Sequence, residues 1–274
     1  MPVDMAALAA DLAAESAVTR ALVAGLDEAS WRTPTPAAGW DIADQIGHLA
    51  YFDQVAVRAA VHPDEFRAEL AAAGQGEPEI NPDAIAARHR DHAGAEMLAW
   101  FDTARSALLD TFATIDPGRS LPWFGPDMSA ASSLTARLME TWAHSQDIAD
   151  ALGVAREPTA RLRHIAHLGV ITRGFSFAVR GQPVPPTPVR VELTAPDGTV
   201  WTWGQPDAAE RVTGPALDFC LLVTQRRHRD DLGLSATGPG AQEWTAIAQA
   251  FAGPPGPGRQ HANRPPARTE SASR

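Results

Sequence analysis

The 274-residue chain contains a single cysteine, Cys220. A protein of this size that relied on disulfides would carry several, so a reducing cytosol is expected and a protein-borne dithiol mechanism is excluded. Basic residues are also in deficit, with 23 Lys and Arg against 33 Asp and Glu and a formal charge of −10. No domain-wide positive field exists to gather nucleic acid or an anionic membrane, and neither partner is expected. Missing too is any charge-free run of about 18 apolar residues, the length that crosses a bilayer. The opening segment has no basic head or unbroken apolar core of an export signal, because Asp4, Asp11 and Glu15 interrupt it. A cytoplasmic location is the resulting expectation. What is present is a globular composition, 45% hydrophobic and 20% charged, in a chain long enough for two domains.

Apolar spacing predicts helices first. Leu8, Leu12, Leu22 and Leu26 mark one face between Met5 and Leu26. After the Pro-rich break at 33–36, Asp41 can cap a second helix, with Ile42, Ile46, Leu49 and Phe52 on one side, running to about Ala60. Asn81-Pro82 is a further start signal, and Phe101, Arg105, Leu108, Phe112 and Ile115 repeat at threes and fours before Asp116-Pro117-Gly118. One long third helix is therefore expected. A fourth runs from Ser129 to Leu152 and stops at Gly153. Four such helices suffice for a bundle. A fifth pattern covers about Thr159 to Val179 before Gly181-Gln182-Pro183-Val184-Pro185-Pro186 changes the character of the chain.

Beyond that boundary the period becomes two. Val189, Val191 and Leu193 alternate, and Asp197-Gly198 turns the chain into Val200-Trp201-Thr202-Trp203, which reads as a hairpin. Segments 215–222 and 241–251 read as helices over a small sheet. The expected fold class is α+β: a four-helix bundle over 1–155, a connecting helix and Pro-rich linker over 156–186, a small α+β domain over 187–252, and a disordered Gly/Pro/Arg/Ser tail over 253–274.

The chemistry concentrates in the fourth helix. Glu140, His144 and Asp147 stand at i, i+4 and i+7 and share one stripe, while Leu138 and Trp142 serve another. Glu140 and His144 can share one divalent ion but cannot complete its shell. His48, off the apolar stripe of the second helix, would supply a third ligand and make a two-histidine, one-carboxylate site with open positions. On spacing alone, a solvated Glu–His pair is the commoner arrangement. The pairs His89/His92 and His164/His167 show this, and both are read as solvated helix faces.

Two motifs then act together. Trp40-Asp41-Ile42-Ala43-Asp44-Gln45-Ile46-Gly47-His48-Leu49-Ala50 is followed a hundred residues later by Glu140-Thr141-Trp142-Ala143-His144-Ser145-Gln146-Asp147-Ile148-Ala149-Asp150-Ala151-Leu152-Gly153. In this order and separation they resemble the DinB-like superfamily, and more narrowly the actinobacterial mycothiol-dependent maleylpyruvate isomerase family in its metal-binding-protein branch. The resemblance covers nearly the whole chain. It implies a DinB-like bundle followed by a small α+β domain, with His48, Glu140 and His144 as metal ligands. The implied ion is zinc, with ferrous iron or nickel as alternatives, and the implied thiol cofactor is mycothiol. The activity implied is isomerisation or S-transfer on a small electrophilic substrate by a thiolate held at the metal.

Other residues take expected roles around this centre. Cys220, between Phe219 and Leu221 on an apolar helix, is expected to be inert. Asp147 is a candidate acceptor that would hold His144 or His48 in the required tautomer, with a helix-face carboxylate paired to Arg137 or solvent as the alternative. Trp123 and Phe124 are expected to divide between a pocket wall and the core. The resemblance favours Arg226 or Arg227, within Gln225-Arg226-Arg227-His228-Arg229-Asp230-Asp231, as cofactor-binding groups. A hydrolase, lyase or cyclase using the same His/Glu/His set without thiol, and a non-catalytic metal-binding module, remain as competing readings.

Overall fold

The structure is a computed structural model that describes residues 3–73, 81–256 and 258–262. The chain divides into two compact units, residues 1–157 and 158–274.

The first unit is built on four long helices. Helix α1 (Met5–Val23) starts where the Asp4 carboxylate accepts the amides of Ala6 and Ala7. A single turn, α2 (Glu28–Trp31), precedes α3 (Ile42–Val61), whose start is set by a capping box in which Asp41 and Asp44 accept each other's backbone amides. Short helices α4 (Pro63–Ala73) and α5 (Pro82–His89) lead to α6 (Gly94–Phe112). Strands β1 (Ser120–Trp123) and β2 (Gly125–Ser129) form an antiparallel hairpin before α7 (Ala130–Leu152). Helix α3 packs on α6 and α7, and α1 on α7 and α6. Ile46, Leu49, Phe101 and Leu108 are fully enclosed or nearly so, each contributing about 2 kcal/mol by leaving water.

One buried polar knot runs through this apolar interior. Arg105 donates to Asp53 at 2.7 Å, to the Thr141 hydroxyl at 2.9 Å and to Ser16. Three elements depart from the sequence expectation. The single long third helix is two, because Ala93 is extended and Gly94 opens α6 with its amide on the Glu28 carboxylate. A Cβ on Gly94 would lie 2.2 Å from the Trp31 ring, so only glycine admits this approach. Helix α4 and the β1–β2 hairpin had no counterpart in the apolar pattern.

The second unit opens with α8 (Leu162–Ile171) and α9 (Arg173–Ala178), separated at Thr172, whose hydroxyl donates back to the Leu168 carbonyl. The fifth helical pattern is thus two helices, and it is not only a connector: α8 packs on α10 (Ala216–Val223), with Gly169 seated against Val223. Four strands order as β4-β3-β5-β6. β3 (Val189–Thr194) and β4 (Val200–Trp203) make the antiparallel pair expected from Asp197-Gly198, with Gly198 at φ +83°. β5 (Glu210–Pro215) runs parallel to β3, and β6 (Ser235–Thr237) antiparallel to β5. Helix α11 spans Pro239–Ile247, ending before the expected 251.

The tail expected to be disordered is tied down over its described part. His261 lies 3.0 Å from Asp231, the Ala262 amide donates to Asp231 at 3.0 Å, and Gln249 donates to the Gly253 carbonyl at 3.0 Å. Residues 257 and 263–274 lie outside the described residues.

Candidate metal centre

Capping sets the register of the site. With α3 starting at Asp41, Gln45, His48 and Phe52 fall three and four residues apart on one face. Arg137, Glu140 and His144 repeat the same spacing on α7, which packs against α3. Glu140 Oε2 lies 3.1 Å from His144 Nε2 and 3.5 Å from His48 Nε2. One donor atom from each of the three residues lies within 4.8 Å of the other two. The imidazole centroids are 4.3 Å apart. Trp40, just ahead of the α3 cap, stands 5.3 Å from the His48 ring and 6.0 Å from that of His144, and Phe52 is 4.6 Å from His48.

A directional chain of hydrogen bonds orients His144. The Thr35 hydroxyl donates to the Trp40 carbonyl at 2.9 Å, so its oxygen accepts from Gln45 Nε2 at 2.8 Å. Gln45 Oε1 is then an acceptor, and His144 Nδ1, 2.5 Å away, must be its donor. In the neutral ring that leaves Nε2 without a proton, directing a lone pair at the Glu140 carboxylate. Two lone-pair donors facing each other at 3.1 Å repel unless positive charge lies between them.

The electrostatics agree with that need. Burial pushes the His48 imidazole down to about 4, helped by the neighbouring His144. Burial works to raise the Glu140 carboxyl, but the two histidines beside it and the Arg137 guanidinium hold it well below its usual range. At neutral pH His48 is therefore neutral and Glu140 ionised, the protonation states that a divalent cation requires. Two imidazoles and one carboxylate, partly enclosed, fit zinc with a position left over.

The remaining expected residues fall elsewhere or take other partners. Asp147 is fully buried on α7, but the acceptor at His144 Nδ1 is Gln45, not Asp147. Nothing in the local period marks Gln45 for this task; its signal is its place three residues before His48 on one face. Trp123 and Phe124 are both partly buried against the Phe52, Val55, Ala59, Phe66 and Ile85 cluster. Cys220 is buried, its thiol 3.4 Å from the Leu162 carbonyl and pushed up by burial. Arg226 and Arg227 lie in the second unit after α10, half-buried, donating to the carbonyls of Thr224 and Arg226 at 2.7 Å each. His89 packs on Trp100 at 4.5 Å, and His167 accepts from the Trp203 indole at 3.2 Å.

A helical bundle that brings two histidines and a glutamate together from two facing helices, in a chain that continues into a small mixed sheet, is a DinB-like fold. The chain belongs to the mycothiol maleylpyruvate isomerase family: residues 12–149 match the family described as the mycothiol maleylpyruvate isomerase N-terminal domain. Residues 185–236 match a second family, described as wyosine base formation. An uncharacterized protein of Mycobacterium tuberculosis, found in strains H37Rv and CDC 1551, is 52% identical over 250 residues, covering 91% of this chain and 97% of the relative. The crystal structure of a mycothiol-dependent maleylpyruvate isomerase aligns with a TM-score of 0.57 at 15% identity, over 86% of this chain and 93% of that one. A histidine-to-alanine mutant of a mycothiol-dependent maleylpyruvate isomerase aligns at 0.58 and 14%, with the same coverage. At such identity the likeness is one of fold. Among the described residues no helix is long and apolar enough to cross a membrane.

Proposed function

We propose that this protein is a zinc-dependent enzyme that activates a low-molecular-weight thiol, such as mycothiol, for isomerisation or S-transfer on a small electrophilic substrate. His48, Glu140 and His144 hold the ion. The observation that carries this reading is the Thr35–Gln45–His144 chain, which aims an unprotonated Nε2 at an ionised carboxylate. When bound, the ion supplies the charge that keeps a thiol ionised near neutral pH.

The chain's own residues do the rest. Gln45 keeps the His144 proton on Nδ1, away from the centre, and Trp40 and Phe52 wall the imidazoles from bulk water. The sulfur must come from outside, because the protein's one thiol, on Cys220, is buried and pushed up. Arg226 and Arg227 are assigned to the polar groups of the cofactor, where guanidinium forks suit anionic or oxygen-rich ligands. A cytoplasmic setting belongs to the same reading, since it supplies reduced thiols.

Elemental analysis tests the assignment. Purified protein is expected to hold about one zinc per chain and the His48→Ala and His144→Ala variants almost none. Thiol titration should then raise the melting temperature of the loaded wild type only. Metal retained in both variants would overturn the ligand set, and iron in place of zinc would redirect the chemistry.

A further inference from the structure

Helix α5 supplies no metal ligand, and of its eight residues only Ile85 and Ala86 are buried. Its two ends nevertheless carry polar anchors that converge on one short segment, the chain from Gly39 to Asp44 at the start of α3. At the first turn, Asp83 Oδ1 accepts the Trp40 indole N–H at 2.7 Å. At the C-cap, Arg90 donates to the Gly39 carbonyl at 2.8 Å and to the two oxygens of Asp44 at 3.1 and 3.3 Å. The Asn81 side-chain oxygen fixes the first anchor by accepting the amides of Asp83 and Ala84 at 2.9 and 3.3 Å.

The backbone at Trp40 is held by its own loop. Its carbonyl accepts the Thr35 amide at 2.8 Å and the Thr35 hydroxyl at 2.9 Å, and its amide donates to the Ala37 carbonyl at 3.0 Å. Gly39, at φ +80°, makes the turn that brings this stretch round. With the main chain fixed, the side-chain torsions are what remain free. In the orientation that Asp83 selects, the indole lies 19° from parallel to the His144 ring and borders His48 as well. One carboxylate on α5 therefore decides whether the two imidazoles are roofed.

The chemistry of the contact separates it from an ordinary surface pair. Exposed ion pairs join two long, mobile side chains and restrain little. Here a short carboxylate meets a ring with two torsions, and the charged acceptor strengthens the bond. A hydrogen bond to a charged group biases a population about 10-fold or more, with an exposed one at the low end. Among the described residues the indole N–H has no other acceptor, so without Asp83 nothing selects the roofed rotamer.

We propose that Asp83 is a positioning residue: by holding the Trp40 indole across His48 and His144, it sets how fast solutes and metal reach and leave the centre. The consequence for metal exchange rests on the metal-enzyme reading, whereas access to the imidazoles is measured without metal. Metal-free protein is treated with diethyl pyrocarbonate, and acylation of His48 and His144 is followed by mass spectrometry. Asp83→Ala should raise both rates about 10-fold, while Asp83→Asn, whose carbonyl oxygen still accepts the indole N–H, stays close to wild type. In a Trp40→Phe background, which has no N–H to hold, Asp83→Ala should change nothing. Zinc-loaded Asp83→Ala should lose its ion to excess chelator about 10-fold faster, at unchanged affinity. Equal acylation rates in wild type and Asp83→Ala, acceleration that Asp83→Asn shares, or acceleration that persists in the Trp40→Phe background overturns the proposal. So does zinc release that is faster only in proportion to weaker binding. Absence of zinc from wild type sinks the metal reading instead, and the acylation rates still decide the role of Asp83. Should Asp83→Ala fail to fold, Asp83→Leu is judged by the same criterion.

Discussion

Acid titration of the metal-free protein measures how far the bundle desolvates His48. Its imidazole titrates near 6.5 in the unfolded chain and about 4 in the folded one, chiefly through burial and then through His144. Above pH 6.5 the ring is neutral in both states and contributes nothing to the pH dependence. As pH falls below 6.5, the unfolded chain takes up the proton first, which favours unfolding; the loss grows until the folded ring titrates near 4. The full effect is about 3 kcal/mol, of which about 2 kcal/mol accrues by pH 5. Glu140 works lower in the range: its carboxyl is held well below 4.5, so the stability it adds is lost only beneath that value. Between pH 7.5 and 5 the His48 contribution can therefore be read alone. Urea denaturation of chelator-treated wild type and His48→Gln at those two pH values is the assay. Wild type should lose about 2 kcal/mol more than the variant. His89 and His167, which burial also pushes down, are common to both proteins and cancel. Equal losses in the two proteins would refute the desolvation argument, and with it the claim that His48 is ready to bind metal without displacing a proton.

Three further outcomes follow from the contacts. Gln45→Leu removes the acceptor that fixes the His144 tautomer and should weaken zinc binding about 10- to 100-fold in a chelator competition; unchanged affinity would show that the amide does not orient the ring. Asp53→Asn strips the charge partner from buried Arg105 and should cost about 3–5 kcal/mol in urea denaturation, whereas a loss below about 1 kcal/mol would mean water compensates the guanidinium. Gly169→Ala places a Cβ 2.8 Å from the Val223 side chain; calorimetry should show destabilisation of about 1–3 kcal/mol, and an unchanged melting temperature would mean that α8 and α10 separate freely.

Much of this molecule is legible in the order of its residues, because the signals involved are short-range. The helix start at Asp41, the stop at Gly153 and the hairpin turn at Asp197-Gly198 depend on neighbours a few residues apart. The i, i+4 placement of Glu140 and His144 is equally local, and the paired motifs around His48 and His144 carried the family. The inertness expected of Cys220 followed from its apolar neighbours. Other features depend on which faces meet. The break before α6 exists because Glu28 and Trp31, from a separate helix, cap and crowd Gly94. The parallel pairing of β3 with β5 has no turn signal to announce it. Within the site, Asp147 has the right spacing on α7, yet Gln45, 99 residues away in sequence, takes the His144 Nδ1. Arg137 reads as a surface partner for an acid until Phe52 and Trp123 enclose it. Helical period says which side chains share a stripe. Only the packing of one stripe on another decides which of them lose water, and the loss of water is what turns His48 and Gln45 from polar residues into parts of a site.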